Sequence, residues 1–241
     1  MTTTPSTRPA RWPALYAMAF TPLLRWLVAH HSTEPDRPWR TRCACQAPLW
    51  PGACGPTGRC RVCAARVGPR PLRLEAATIA FAAVLWLSGA TGWSAWQLAA
   101  YAWWATGMVV LAFVDLAVQR LPHRLTAAAT VGLLALLAAV GESAAWWRAV
   151  TAAAVLAAVF AVLAVASRGQ LGWGDVALAV PVAAALGWHS WTAVYTGCLL
   201  GFGAAAVTAL ARRMTGRLQP GGHLPLGSFL IAGAAAALVW Q

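Results

Sequence analysis

The sequence predicts an all-α fold: a polytopic transmembrane helix bundle of seven spans, with a candidate eighth, carrying a small cysteine-containing cytoplasmic segment. Three observations predict it. Hydrophobic residues make up 60% of the chain and charged residues 10%, with a mean hydropathy of +0.61, which is outside the range of soluble globular domains. The apolar residues come in blocks of about twenty, the length at which a helix crosses a bilayer. Hydrocarbon offers no partner to backbone N–H and C=O groups, so such blocks must be helical and strands are not expected.

The elements follow in order. Residues 1–11 are polar, with two prolines and two arginines. The block Trp12–His30 is apolar except for Arg25; it suits a first span, a helix lying in the interface or a degraded signal-anchor, and no small-residue cleavage pattern follows it. Residues 31–73 are rich in Pro, Gly, Arg and Cys and bury too little apolar surface to be ordered without a staple such as a metal. Beyond them, spans are predicted at about 74–90, 94–115, 125–141, 146–166, 175–188, 190–211 and 224–240. The breaks fall at Gly89 to Gly92, Leu121-Pro122, Gly141, Gly169 to Gly174, Gly187 and Gly216 to Gly222, residues that punctuate helices. Three units result: 1–30, a tail and candidate first helix; 31–73, the cytoplasmic Arg/Cys segment; and 74–241, the transmembrane domain.

The net charge of +12 invites a nucleic-acid reading, but its distribution argues for lipid. All 18 basic residues are arginine and eight lie between Arg37 and Arg73. With residues 31–73 placed inside, the alternation of spans puts 116–124, 167–174 and 212–223 inside too, and these four segments hold fourteen arginines against Arg148 alone on the other side. Arg8, Arg11 and Arg25 belong to the N-terminal region. Such asymmetry is an orientation signal and a contact with anionic head groups, so the partners expected are a lipid bilayer and no nucleic acid. The fifteen tryptophans gather near helix ends, as an aromatic belt would, and are assigned no chemistry.

Five of the six cysteines crowd into residues 43–63. A cytoplasmic setting disfavours disulfides and favours metal ligation. Cys60-Arg61-Val62-Cys63 has a regular C-x-x-C spacing, whereas Cys43-Ala44-Cys45 is one residue short. A structural zinc on Cys43, Cys45, Cys60 and Cys63 is the preferred reading, with Cys54 as an alternative ligand and a reduced loop as the plain alternative. Cys198, inside an apolar helix, is expected to be a small buried hydrophobe.

The chain has six acidic residues, and two lie where lipid should begin. Asp175 follows Gly172-Trp173-Gly174 and opens a span; Asp115 closes one. A carboxylate at that depth is costly unless it faces protein or water, and so marks a functional site. On the predicted topology both sit at the cytoplasmic boundary. Two carboxylates brought close share a proton, one acting as base toward water and the other as acid toward a substrate carbonyl, and the titration belongs to the pair. That chemistry needs no cofactor. Taken singly, Asp175 also suits a helix N-cap and Asp115 a solvated helix end.

These residues carry a family resemblance. Gly172-Trp173-Gly174-Asp175 resembles the GxGD motif of membrane aspartyl proteases. Asp115-Leu116-Ala117-Val118-Gln119-Arg120-Leu121-Pro122 is similar to the first-aspartate motif of the type IV prepilin peptidases. His223-Leu224-Pro225-Leu226-Gly227-Ser228-Phe229-Leu230 is similar to that family's closing I-P-F-G-P-F-L signature, and Gly58–Cys63 with Arg70–Glu75 resembles its second cysteine pair and the R-Y-P-x-x-E opening of the next helix. The resemblance implies a multi-pass enzyme of the bacterial inner membrane that cuts the basic leader from prepilin-like proteins on the cytoplasmic side. Asp115 and Asp175 would be its catalytic residues, and Gly172, Gly174, Leu224, Pro225 and Gly227 its active-site loops.

The resemblance also implies N-methylation of the new N-terminus, with S-adenosylmethionine as cofactor only where that activity is retained. The segment associated with it, Thr21-Pro22-Leu23-Leu24-Arg25-Trp26, departs from the family's G-S-F-L-N form, and the family's Val-Lys after GxGD is Val176-Ala177 here. Glu75, beside Arg73, suits an ion-paired structural residue or a part in the second activity, and His123 and His223 are read as solvated loop residues. Two further readings stand beside the peptidase: a catalytically impaired relative serving pilus or secretion assembly, and a proton-coupled transporter. A transporter would favour mid-membrane acids and an inverted repeat.

Overall fold

The computed structural model describes residues 12–33, 38–52, 55, 57–89, 92–168, 171–216 and 225–240. Among them the chain is helical, with two isolated antiparallel bridges in the cysteine segment and no strand. The helices are α1 (Trp12–His31), the single turn α2 (Leu49–Gly52), α3 (Arg73–Gly89), α4 (Ala95–Val118), α5 (His123–Ala138), α6 (Ser143–Ala166), α7 (Trp173–His189), α8 (Trp191–Met214) and α9 (Leu226–Leu238).

Local chemistry sets several limits. Ser94 and Gln97 form a reciprocal capping box that starts α4, and the Ser190 hydroxyl accepts the Ala193 N–H to start α8, each supplying an orphan N–H with a partner. The helix carrying Asp115 does not stop there. Leu116, Ala117 and Val118 continue it, and it closes one residue later on Gln119 in the left-handed region at φ 50°. Gly187 does not break the chain either. It lies inside α7, where a Cβ would come within 2.6 Å of Ala152 Cβ and 3.2 Å of the Arg148 carbonyl; its smallness lets α6 and α7 touch, and the break comes at the extended Ser190.

The expectation of seven spans is only partly met. α4, α6 and α8, of 24 residues each, are long and apolar enough to cross a membrane, while α5 and α9 are shorter apolar helices. At 1.5 Å per residue the long helices reach about 36 Å, beyond the ~30 Å hydrocarbon core, whereas a 13-residue helix reaches about 20 Å.

α7 runs through the middle, packed against α4, α5, α6, α8 and α9, and ten of its residues from Leu178 to Trp188 are buried. α6 and α8 are peripheral and expose Val159, Val162, Leu199 and Val207, side chains suited to lipid. Polar anchors cross between helices: Trp104 Nε1 donates to the Pro181 carbonyl (2.9 Å), Trp146 Nε1 to that of Leu134 (3.0 Å), and Trp103 Nε1 to that of Ala128 (3.0 Å). These tryptophans therefore staple helices rather than only marking an interface.

α1 packs against α3 and α4 through Leu24, Val28, Leu74, Val109, Val110 and Val114. Arg25, 1% exposed, makes a bidentate pair with Glu75 (Nη2 to Oε1 2.6 Å and to Oε2 2.7 Å) and donates to the Pro69 carbonyl (3.2 Å). Glu75 thus pairs across helices and not with its neighbour Arg73.

α8 and α9 meet through Gly197, Gly201 and Gly233. A Cβ on Gly233 would lie 2.4 Å from the Gly197 carbonyl oxygen and 2.5 Å from the Gly201 nitrogen, the small-residue contact by which membrane helices approach closely. Gly233→Val should therefore destabilise the bundle by about 3 kcal/mol, read as a lowered midpoint of thermal unfolding in detergent.

Candidate active site

The site is built where the α4–α5 connection, the first turn of α7 and the first turn of α9 converge. Asp115 lies in the last turn of α4 and is 4% exposed. Its Oδ2 accepts hydrogen bonds from the Ser228 backbone N–H (2.8 Å) and hydroxyl (2.9 Å); the same hydroxyl lies 3.2 Å from the Ala112 carbonyl. α9 starts at the N-cap Pro225, which offers no side-chain cap. Asp115 fills that gap from 113 residues away, satisfying an orphan N–H and placing its charge at the positive end of α9.

Asp175 is half-buried in the first turn of α7. It is not the N-cap: Gly172 is, without a side-chain bond. A Cβ on Gly172 would sit 3.5 Å from Asp175 Oδ2, so the carboxylate lies back over the glycine and faces its backbone N–H. The two aspartates, 60 residues apart in sequence, line one cavity of about 640 Å³ together with Gly172, Gly174, Arg120, His123, Arg124 and Leu226.

Leu121, itself buried, packs against the glycines of α7 and α9. A Cβ on Gly174 would come within 2.9 Å of Leu121 Cβ, and one on Gly227 within 3.1 Å of Leu121 Cδ1 and of Asp115 Oδ2 and within 3.0 Å of Leu178 Cδ2. Both glycines thus hold places that a side chain would fill, bringing α7 and α9 against the aspartate-bearing end of α4. Pro225 caps α9, while Leu224 and His223 lie outside the described residues. His123, read as a solvated loop residue, is exposed, but it is the first residue of α5 and lines the cavity. Ser228 and Leu121 stand in the quoted motifs but were assigned no role; a hydroxyl in an otherwise apolar closing stretch was the available signal.

The cysteine segment forms a second centre. Sγ atoms of Cys43, Cys45, Cys60 and Cys63 all lie within 4.8 Å of one another, with Cys43 to Cys63 at 3.6 Å and Cys45 to Cys60 at 3.7 Å. Cys54 lies outside the described residues. The two halves are related turns. Arg42 bridges Pro48 and Arg59 bridges Arg66; Cys43 N–H donates to Ala47 and Cys60 N–H to Ala65; each turn closes on a left-handed residue, Gln46 at φ 65° and Ala64 at φ 56°. The first turn is the second with one residue removed between its cysteines, so Cys45 reaches the place equivalent to Cys63 despite the short spacing. Backbone N–H groups of Cys63 and Val62 aimed at the Cys60 sulfur lower its thiol pKa below the usual value. Cys198, expected to be buried, is half-buried in α8.

Residues 100–240 match the model of the type IV leader peptidase family. No curated protein and no solved structure matches the chain.

Proposed function

Because the chain belongs to the type IV leader peptidase family, we propose that it is an aspartyl endopeptidase in which Asp115 and Asp175 share a proton and cleave the leader of prepilin-like proteins. The observation that carries this reading is the single cavity lined by both carboxylates. A multi-pass membrane protease acting on a protein substrate is the coarser statement that the family and the apolar helices support. The arginine asymmetry supports a cytoplasmic site in a bacterial inner membrane, with α3, α5, α7 and α9 completing the span set beside α4, α6 and α8.

In this mechanism the ionised member of the pair takes a proton from water, whose oxygen attacks the scissile carbonyl carbon. The protonated member gives its proton to the carbonyl oxygen. Collapse of the tetrahedral species breaks the C–N bond: the proton held by the first aspartate goes to the leaving nitrogen, and one hydroxyl of the gem-diol returns its proton to the second aspartate as the new carboxyl C=O forms. The Ser228 contacts make Asp115 the better-positioned and less mobile partner. Asp175, with its carboxylate over Gly172, is the one suited to meet the incoming water. Purified chain in a bilayer should convert a precursor with a basic leader to one shorter product, identified by mass; an unchanged precursor would sink the reading. Ser228→Ala should keep the backbone N–H contact and slow turnover by about tenfold, with KM little changed.

We further propose that Cys43, Cys45, Cys60 and Cys63 hold a structural zinc. A tetrahedral Zn–S distance of about 2.3 Å implies S···S separations near 3.8 Å, and the two closest pairs, at 3.6 and 3.7 Å, are consistent with that. The ion would cross-link the two turns. N-methylation rests on the family resemblance alone. Both Glu75 oxygens are engaged by Arg25, which favours the ion-paired role, and no methyl-transfer step is derived for this chain.

A further inference from the structure

A second cavity, of about 380 Å³, opens beside the C-terminal end of α4, lined by Phe113, Leu116, Ala117 and Val118. One wall carries four arginines, Arg40, Arg66, Arg70 and Arg73; the other is apolar and includes Phe113 and Leu116. All four arginines are exposed, and none makes an ion pair or hydrogen bond through its side chain among the described residues. Among the described residues no acid lines the cavity, and Glu75, two residues from Arg73, is taken by Arg25. The cationic wall is held in place: Val67 and Gly68 donate to the Gly58 carbonyl (3.0 and 3.2 Å) and the Pro69 carbonyl accepts from Arg25 (3.2 Å).

We propose that this cavity binds the phosphate of an anionic phospholipid, with the acyl chains lying along α4. Four arginines that line one space, without a side-chain partner among the described residues, call for a multiply accepting anion, and arginine forks match phosphate oxygens. The opposite wall decides which anion. Leu116 is 59% exposed on a helix long enough to cross a membrane, so the cavity is cationic above and greasy below, the arrangement that receives a lipid head group and its chains. A soluble anion would leave the apolar half unused. Val118 lines both this cavity and that of the aspartates, so an occupant here would sit against the helical turn that bears Asp115.

The test is native mass spectrometry of the full chain in zwitterionic detergent, titrated with phosphatidylglycerol, phosphatidylcholine and inorganic phosphate. At about fivefold per arginine, R66Q/R70Q should weaken phosphatidylglycerol binding by about thirtyfold and leave phosphatidylcholine adducts unchanged. R40Q/R73Q, which removes the other two arginines, should do the same, so that misfolding of one variant does not decide the result. R212Q/R213Q, which takes the same charge from the last turn of α8, should change binding less than about threefold. An equal loss in R212Q/R213Q would reduce the effect to diffuse surface charge and overturn the site. Inorganic phosphate binding as tightly as phosphatidylglycerol would overturn the lipid assignment.

Discussion

Replacing either Asp115 or Asp175 by asparagine is expected to lower leader cleavage by at least about 10³-fold while the protein accumulates to its normal level. The magnitude follows from the loss of a positioned acid or base, worth about 10²–10⁴-fold, in a pair where each member depends on the other's charge. Asparagine keeps an oxygen that can accept from the Ser228 N–H and hydroxyl, so Asp115→Asn preserves the contact that ties α4 to α9 and the defect should be chemical and not one of folding. The measurement is conversion of a co-expressed prepilin-like precursor, resolved from product by electrophoresis, with the enzyme quantified in the same membranes. Appreciable cleavage by either variant would remove that aspartate from the chemistry. Cleavage by both would return the site to the transporter or assembly readings.

Zinc carries the second large effect. The purified chain should contain close to one zinc, and Cys45→Ser should empty the site as thoroughly as Cys60→Ser, each weakening zinc by more than the ~100-fold that outer-shell changes cost. The comparison matters because Cys45 belongs to the short C-x-C pair, which by spacing alone is the weaker candidate. Elemental analysis after metal-free dialysis reads the occupancy. Retention of full zinc by Cys45→Ser would exclude it from the ligand set and direct attention to Cys54. Loss of the ion should also unfold residues 43–66, since binding energy at such sites is folding energy. Protease sensitivity confined to that segment is the expected signature.

The two centres differ in how far they could be read in advance. Asp115 and Asp175 were conspicuous because a charge at a lipid boundary is costly wherever it occurs, an argument that needs no tertiary structure. The cysteines were conspicuous through crowding and compartment. Neither argument reached the supporting contacts. Ser228 looks like one more small residue in an apolar helix until α9 is docked on α4. Arg25 looks like an interruption in an apolar block until Glu75 is found beside it. The helix limits were less legible for a local reason: glycine and proline mark candidate breaks, but Gly187 serves the α6–α7 contact instead, and nothing in Leu116–Val118 ends a helix.

By itself the sequence determined that the chain is helical and membrane-embedded, which face its arginines favour, and which carboxylates and thiols are candidates for chemistry. Those conclusions rest on hydropathy, charge and spacing, all of which act over one helix or one loop. The tertiary structure alone decided that Asp115 caps α9, that Asp175 lines the same cavity, that Leu121 packs against Gly174 and Gly227, and that Cys45 closes the thiol cluster. Each of these depends on backbone segments tens of residues apart coming within about 3 to 4 Å, and such closeness is set by glycine-sized gaps and shared hydrogen bonds between helices, not by the preferences of either segment alone.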